Sequence, residues 1–486
     1  MKKYFGIIAI ISFLIICFIF VQGKDMLRDT KNVDSNVEMG DSKDDSILDI
    51  EAVHEPTNSK SIPTLPAVVY NKSSLLLQQE RISKGGVIGT GGKGVVALRF
   101  DDYQNAFGEK IYPLLLARGL PCSMALISRF NTAQSWGIGT TWGEVRNWNR
   151  NGVEIWSHGT DHKDYTKDGY AGLYSQIVTS KAEIQAENIK VAGWVLPGVH
   201  PSTKNIPYNG LTKPSDYNST AGRLLMQTYA LTEAYAYKAP RILPTHIFHG
   251  SGHFTVSDGS GETLAISEKA INVAIKNKSG IELMCHVGNL GKPGNMSIPE
   301  FTTLLDYIKT QWDNGSIEVL TPSGLYFADP KSSTRLRLNS DASFEGLTVA
   351  SPSGWRETKH WSKKTIETSG GRTGKNFLRI NSIGSSSPVA QKINNLDKLK
   401  VLGEQFVFEG WFRPNGKGIA TGVVQVVDSN NSSELKITNK ILSKGSSWTR
   451  IRFVFSIPMN TKSITLSLNR GAGVGTDWDD VSIKKI

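Results

Sequence analysis

Apolar runs alternate with helical periods along the middle of the chain. The nearly continuous apolar run from Val95 to Phe100 predicts a buried strand. Apolar residues then recur at helical spacing from Ala106 to Arg118, and Gly119 is expected to end that helix. The alternation continues to about residue 328, with further strands predicted at 122–127, 153–156, 191–196, 281–286 and 317–320, and further helices from 141 and at 182–189, 269–276 and 298–312. This pattern predicts a parallel α/β fold, a barrel, whose chemistry lies at the carboxyl ends of the strands.

Short strands with few helix signals replace this pattern after about residue 335. Strands are predicted at 377–380, 406–412, 423–427, 448–455, 464–468 and 481–483, with Gly, Asn and Ser in the turns, which is typical of an all-β sandwich. This region has 23 Lys and Arg against 12 Asp and Glu, a surplus of 11 that equals the net charge of the whole chain. The basic excess favours an anionic partner for the terminal module, such as a wall polymer, and a solvated surface is the alternative.

The N-terminus carries an export pattern. Lys2 and Lys3 precede an apolar run from Tyr4 to Val21, as in a signal peptide. The run is also close to the length that spans a bilayer, so a cleaved signal and an uncleaved anchor both remain open. We expect an exported protein that is extracellular, in the cell wall or anchored on the outer face of the membrane, with membrane contact only through this segment. The predicted organisation is 1–23 signal peptide or anchor, 24–65 disordered polar tether, 66–330 barrel and 335–486 β-sandwich.

Length and cysteine usage exclude several classes of protein. The 486 residues are too many for one core, which predicts several domains. Three cysteines, one of them in the N-terminal apolar run, are too few for a disulfide framework or a cysteine-rich zinc site. No nucleic-acid-binding motif is present, and export also argues against such a partner.

Candidate chemistry begins with two adjacent carboxylates, Asp101 and Asp102, directly after the first predicted strand. One of them can bind a cation while its neighbour stays free as a base, although a surface turn would explain an isolated Asp-Asp pair. His158 and His162 follow the third strand, and a spacing of four suits two ligands of one zinc-like ion. Both pairs would lie at the same rim of the barrel. Asp102, His158 and His162 would leave an open coordination position, which is the geometry of a catalytic zinc.

His286 ends another predicted strand, at 281–286, and would reach the same rim. A single histidine at such a place is more often structural. Opposite a metal-activated water it becomes a candidate general acid.

These motifs resemble those of a known enzyme family. Leu98–Asp102 is similar to the first motif of polysaccharide deacetylases, also called the NodB homology domain or carbohydrate esterase family 4. Thr141–His162 resembles the helix, turn and His-x-x-x-His motif that follows, and Ile281–His286 resembles the final motif. The resemblance covers roughly residues 92–328, with the motifs in the family's order. It implies an α/β fold, a distorted (β/α) barrel of the NodB type.

The resemblance also implies a role for each site residue. Asp101 would be the general base and His286 the general acid. Asp102, His158 and His162 would hold the metal, Zn²⁺ or another divalent transition metal such as Co²⁺ or Mn²⁺.

This sequence departs from the family pattern at three places. Arg99 stands where the family usually has Thr, and Tyr103 stands where it usually has Gly. The nearest match to the third motif, Trp194–Gly198, lacks the Arg that normally orients the base aspartate. Arg99 and Arg241 are candidates to replace it.

Two further stretches carry expectations about the substrate. Backbone N–H groups near Pro197 and Gly198 are candidates to bind the oxyanion or to form a substrate loop. The stretch His246–His253 has no counterpart in the family, and both a substrate loop and a second metal site remain open for it.

The terminal module has its own resemblance. Ser343–Gly346 and Trp478–Val481 resemble the ends of jelly-roll carbohydrate-binding modules that hold a structural Ca²⁺, which would make Glu345 and Asp479 the ligands. Trp355, Trp361, Trp411 and Trp448 are candidates to stack on sugars, although such residues lie more often in a core.

The sequence therefore predicts a polysaccharide N-deacetylase. Its reaction would be metal-dependent hydrolysis of N-acetyl groups on a cell-wall or extracellular polysaccharide that contains GlcNAc. The alternative is a catalytically weak, surface-displayed glycan-binding protein on a deacetylase scaffold.

Overall fold

The computed structural model describes residues 86–133, 137–162, 169–197, 211, 213–237, 249–256, 263–346, 354–357, 364–381 and 388–486. The predicted N-terminal segment, 1–23, and the tether, 24–65, lie outside these residues. Among the described helices, none is both long enough and apolar enough to cross a membrane.

Parallel strands build the first part of the described chain. They are β1 (Ile88–Gly89), β2 (Gly94–Asp101), β3 (Cys122–Leu126), β4 (Val153–Ser157), β5 (Val191–Val195), β6 (Thr232–Tyr237), β7 (His249–Ser251), β8 (Phe254–Thr255), β9 (Gly280–Cys285), β10 (Ile317–Leu320) and β11 (Ala328–Asp329). Within the described ranges, nine of these form one sheet in the order β7-β6-β5-β4-β3-β2-β9-β8, with β10 also paired to β2. β1 pairs with β11 in a separate two-stranded sheet.

The sheet curls into an open ring of strands, and one short segment of chain joins its two ends. β7 pairs with β6, and β8, three residues further along the chain, pairs with β9. β7 and β8 are the two ends of the sheet and do not pair with each other among the described strands, so the sheet is a curled, open barrel whose ends are joined by the chain. The predicted distorted (β/α) barrel is confirmed.

Helices cover the outside of this ring. They are α1 (Gln104–Ala106, Phe107–Ile111 and Tyr112–Arg118), α2 (Phe130–Ala133), α3 (Trp142–Arg150), α4 (Gly169–Tyr174, Ser175–Thr179 and Ser180–Ala186), α5 (Thr220–Thr228), α6 (Leu264–Asn277), α7 (Ile298–Asp313) and α8 (Pro322–Tyr326). α1 ends at Gly119, which takes a left-handed backbone with φ of 62°, as predicted. α4 and α6 begin earlier than the sequence predicted, at Gly169 and Leu264.

The two faces of the barrel strands have different surroundings because side chains alternate along a strand. Leu98 and Phe100 of β2 belong to the large apolar core between strands and helices. Arg99 and Asp101 point the other way, into the ring. A small apolar cluster also lies inside, drawn from four successive strand regions and α8: Ala125, Trp156, Val195, Leu231, Tyr326 and Phe327.

The terminal module is all-β and antiparallel, as predicted. Its strands are β12 (Trp355–Glu357), β13 (Lys364–Glu367), β14 (Phe377–Ile380), β15 (Val389–Ile393), β16 (Gln405–Asp428), β17 (Lys436–Lys444), β18 (Thr449–Ser456) and β19 (Ile464–Lys485). They surround one apolar core that includes Phe406, Phe408 and Trp478. The separate strands predicted at 406–412 and 423–427 are both parts of β16, and those at 464–468 and 481–483 are both parts of β19.

Candidate metal centre

The turn after β2 separates the two adjacent aspartates. Asp101 is the last residue of the strand, and its side chain stays inside the ring. Asp102 and Tyr103 then take left-handed backbone conformations, with φ of 59° and 49°. This sharp turn sends the Asp102 carboxylate towards the loop that follows β4.

Asp102, His158 and His162 form one compact group of ligand atoms. The Nε2 atom of His158 lies 3.5 Å from Oδ1 of Asp102, and Nε2 of His162 lies 3.6 Å from Oδ2. The chosen ligand atoms of the three residues all lie within 4.8 Å of one another. Such separations are too long for good hydrogen bonds but suit atoms that share an ion at about 2.0–2.2 Å.

The carboxylate of Asp102 also lacks the partner that burial requires. Its Oδ1 atom is buried and accepts no hydrogen bond from the described residues. An orphaned buried carboxylate oxygen is costly unless something else satisfies it. The three residues therefore fit a divalent metal.

His158 is oriented by the neighbouring strand. Its Nδ1 atom lies 3.0 Å from the carbonyl oxygen of Val195, so Nδ1–H donates there and the Nε2 lone pair faces Asp102. Burial lowers the pKa of His158 to about 4, so the ring is neutral near pH 7, as a metal ligand must be.

The loop between the two histidines is held by one glutamine. Nε2 of Gln176 donates to Thr160 and, at 3.2 Å, to Oδ1 of Asp161. Gly159 has φ of 83°, and a Cβ atom there would overlap with Gln176 Oε1. Only glycine fits this position, so the loop geometry is fixed by its own sequence.

Asp101 receives a two-point contact from an arginine that precedes it by two residues. Nε of Arg99 lies 2.8 Å from Oδ1 of Asp101, and Nη2 lies 3.0 Å from Oδ2. Burial raises the pKa of Asp101, but the charges of Arg99, His158 and His286 outweigh it and hold this pKa well below its usual range. These charges favour the ionised form of the Asp101 carboxylate. His286 is near enough for its charge to lower the pKa of Asp101.

Arg99 has further partners inside the barrel. Its Nη1 atom donates to Glu233 and, at 2.6 Å, to Oε1 of Glu282. Nη2 lies 2.8 Å from Nδ1 of His253, and the Tyr326 hydroxyl donates to Glu233 at 3.1 Å. Glu233 and Glu282 were not predicted from the sequence. The sequence feature that could have indicated them is a charged residue inside a predicted strand. Such a residue is rarely buried without a partner.

The structure thus brings together most of the predicted site. Asp102, His158 and His162 form one group of possible metal ligands, and Asp101 and His286 lie beside this group. Pro197 is buried, and its ring lies beside Gly159. Gly198, Arg241 and His246 lie outside the described residues.

The second metal site that the sequence left open for His246–His253 finds no counterpart in the described part of the chain. His249 is partly buried, with Nδ1 lying 3.1 Å from the Thr232 hydroxyl, and desolvation lowers its pKa to about 4. His253 contacts Arg99. Neither belongs to a second group of three ligands among the described residues.

The two predicted calcium ligands of the terminal module contact the same loop. Oδ2 of Asp479 accepts from the backbone N–H groups of Arg372, at 2.7 Å, and Thr373, at 3.3 Å. Oε1 of Glu345 accepts from the next N–H groups along, those of Lys375 and Asn376, each at 2.7 Å. Burial and then the neighbouring Asp480 raise the pKa of Asp479 to about 6. Calcium binding stays a prediction.

Two of the tryptophans considered for sugar stacking are covered by arginines. Two guanidinium groups, of Arg372 and Arg450, lie over the Trp411 ring at 3.8 and 4.7 Å from its centroid. Arg413 lies 4.4 Å from the centroid of Trp448. Trp355 is buried in the core, and Trp361 lies outside the described residues.

The fold and the site together define an α/β barrel with a candidate metal centre at the carboxyl ends of its strands. Residues 88–200 match the family model described as Polysaccharide deacetylase. This part of the chain is therefore similar to polysaccharide deacetylases, and over these residues the resemblance found in the sequence is confirmed. Asp101, Asp102, His158 and His162 lie inside the matched range, and His286 lies beyond it.

Comparison with solved structures finds carbohydrate-binding modules. The xylan-binding CBM22-1 domain of Paenibacillus barcinonensis Xyn10C is 17% identical, over 31% of this chain and 96% of that one, with a TM-score of 0.25. TmCBM61 in complex with β-1,4-galactotriose is 16% identical, over 31% and 99% of the two chains, with a TM-score of 0.24. The CBM22-1–GH10 structure of Clostridium thermocellum Xyn10B is 20% identical, with a TM-score of 0.23. That match covers 27% of this chain and about a quarter (26%) of the Xyn10B one. Comparison with curated proteins gave no match.

Proposed function

We propose that this protein is a metal-dependent N-deacetylase of a cell-wall or extracellular polysaccharide that contains GlcNAc. One observation carries the proposal: an ionised, two-point-anchored carboxylate, Asp101, lies beside a compact Asp-His-His group. A base next to a metal site is the arrangement needed to hydrolyse an acetamide.

Each side chain then has a defined task. Asp102, His158 and His162 would hold Zn²⁺, Co²⁺ or Mn²⁺, and the ion supplies Lewis-acid polarisation of the amide carbonyl and makes water more acidic. Asp101 accepts the proton of the attacking water. Backbone N–H groups near Pro197 and Gly198 donate to the oxyanion, and His286 protonates the leaving amine.

The test is acetate release from chitooligosaccharides, peptidoglycan and a panel of extracellular glycans. We expect acetate in the presence of zinc or cobalt, its loss with a chelator and its return when metal is restored. If no glycan in the panel yields acetate above the chelated control, the proposal is wrong.

The second candidate is a surface glycan-binding protein with little turnover. The absence of the third-motif arginine favours it, whereas the contact of Arg99 with both oxygens of Asp101 supports turnover. Affinity for a glycan without any metal-dependent acetate release would favour this second candidate.

We further propose that the terminal module binds an anionic wall polymer. Its surplus of positive charge supports this, and so does β17, an edge strand that pairs only with β16 among the described strands. The exposed alternate positions of β17 carry no acidic residue and hold Lys436, Thr438, Lys440, Leu442 and Lys444. Edge lysines also hinder strand pairing between molecules, so binding needs a direct test.

The test compares two triple variants in sedimentation with an anionic wall polymer and with neutral chitin. Glutamate at 436, 440 and 444 should weaken binding to the anionic polymer and leave chitin binding unchanged. The same change at the exposed Lys398, Lys417 and Lys462 alters net charge equally and should have a smaller effect. Equal losses from both variants would contradict a binding face on β17.

Two expectations lie outside the site itself. We propose that the segment from Tyr4 to Val21 directs export, and deletion of 2–23 should keep the protein inside the cell.

We also propose a structural Ca²⁺ at Glu345 and Asp479, which predicts a higher melting temperature with calcium than with a calcium chelator. The variant Asp479→Asn should lose that difference.

A further inference from the structure

Arg99 and Asp101 form a pair whose geometry is set by the strand that carries both. Residues two apart on a strand share a face, so both side chains enter the barrel next to each other. The planar guanidinium meets both carboxylate oxygens, at 2.8 and 3.0 Å. A two-point contact of this kind fixes the rotation of the carboxylate as well as its position.

Arg99 is itself held from two other strands of the ring. Glu233 comes from β6 and Glu282 from β9, and both accept from Nη1 of Arg99. The Tyr326 hydroxyl in turn donates to Glu233. The guanidinium therefore has little freedom to move, and its two-point contact restricts the Asp101 carboxylate as well.

Stability of the fold does not by itself explain why this charged cluster is buried. One arginine, 1% exposed, faces three buried carboxyl groups. Burial and then Glu233 raise the pKa of Glu282 well above its usual value, so the surroundings disfavour a further negative charge there. Replacing buried ion pairs with apolar groups of similar volume often leaves a protein equally stable or more so. A role in the site explains why such a cluster is there.

We propose that Arg99 is the positioning residue for Asp101, held in place by Glu233 and Glu282, and that it substitutes for the arginine that the third motif lacks. This inference rests on the proposed deacetylation. It assigns Arg99 a task that depends on Asp101, so the effect of losing Arg99 should vanish once Asp101 can no longer act as a base.

The test is a double-mutant cycle with Arg99→Met and Asp101→Asn. Arg99→Met should lower kcat by about 100-fold, the scale for a misplaced catalytic group, with little change in KM or bound metal. In the Asp101→Asn background, the same change should lower kcat by less than about threefold. Independent losses that multiply in the double variant would overturn the proposal.

A second variant guards against a simple folding defect. Arg99→Lys keeps the buried charge but cannot make the two-point contact, so its kcat should fall nearly as far as that of Arg99→Met while its melting temperature stays closer to wild type. A Lys variant with wild-type kcat would show that charge alone suffices, against a positioning role.

Crystal structures of the variants separate this inference from the proposed function. If wild type releases no acetate from any glycan, the proposed function fails. The positioning role is then decided by the Asp101 side chain. A rotated carboxylate in Arg99→Met supports positioning, and an unchanged one overturns it.

Discussion

Asp101 and Asp102 are neighbours in the chain, yet they have different partners. Arg99 engages both oxygens of Asp101, whereas Oδ1 of Asp102 has no hydrogen-bond partner among the described residues. Oδ1 of Asp102 faces the imidazole of His158, and Oδ2 faces that of His162. The left-handed turn at Asp102 produces this division. One carboxylate is prepared to carry a proton and the other to bind a cation.

Substitution of the two aspartates should therefore have different effects. Asp101→Asn should lower kcat by about 10²–10⁴-fold, the usual contribution of a general base, while the bound metal stays at the wild-type level. Asp102→Asn serves as the contrast and should lose metal as well as activity. Acetate release and metal content measured on the same samples check both. Wild-type deacetylation by Asp101→Asn would refute the base assignment.

The individual site residues were predictable to different degrees. Asp102, His158 and His162 stand in motifs whose spacing is visible locally. Arg99 was named from the sequence as a candidate to replace the missing arginine, but its partners were not, since Glu233 and Glu282 lie 134 and 183 residues further along the chain. Only the curling of the sheet brings Arg99, Glu233 and Glu282 together, and no local sequence pattern predicts that curling.

At the scale of elements, the starts of helices follow directly from capping residues. The Thr141 hydroxyl accepts from the N–H of Glu144 at 3.2 Å, and the Glu144 carboxylate accepts from the N–H of Thr141 at 2.8 Å. Ser297 and Glu300 repeat this reciprocal arrangement at the start of α7. The sequence predicted a helix from residue 141, and the structure begins it at this capping box.

Loss of either cap should weaken the fold without touching the chemistry. Thr141→Ala and Ser297→Ala should each lower the free energy of unfolding by about 1 kcal/mol, because one N–H of the first turn loses its acceptor. Ser333→Ala, at an exposed position, is the control and should change it by less than about 0.5 kcal/mol. Urea unfolding measures the effect. A cap variant as stable as the control would show that water replaces the hydroxyl at no cost.

The long strands of the terminal module show where prediction from pattern ends. Glycines such as Gly416, Gly418 and Gly473 read as turn residues, and each has positive φ. In the structure they lie within β16 and β19, whose register shifts between Asn415 and Ala420. The glycines lie at irregularities of the β16–β19 pairing, so these two strands continue where the sequence indicated turns.

At the scale of the whole molecule, Glu318 links three parts of the chain. Its carboxylate lies 2.6 Å from Nζ of Lys93, at the start of the barrel, and 2.9 Å from Nη1 of Arg335, where the terminal module begins. Burial raises the pKa of Glu318, but these two cations outweigh it and lower the pKa from 4.5 to about 2.

This shift predicts a pH-dependent effect of Glu318→Gln. Because the folded-state pKa is depressed, the stabilisation is fully present above about pH 4.5 and disappears as the pH falls towards 2. The variant should lose on the order of 2 kcal/mol of unfolding free energy at pH 7 and progressively less in acid. Urea titrations from pH 7 to pH 3 measure this, with the exposed Glu109→Gln as control. A loss that is the same at pH 3 and pH 7 would contradict the ionic origin.

Left-handed backbone recurs at the candidate metal centre, at Asp102, Tyr103 and His162. Each such residue raises the free energy of the folded loop by about 1–2 kcal/mol, and two of the three are predicted ligands. A cation that draws Asp102 and His162 together therefore also secures the loops on which they stand. Chelation should speed amide hydrogen exchange in both loops and leave exchange in the β16 ladder unchanged. Unaltered protection of the loops would show that they are rigid without an ion. Metal supply would thus set how often these loops open, as well as whether the site can react.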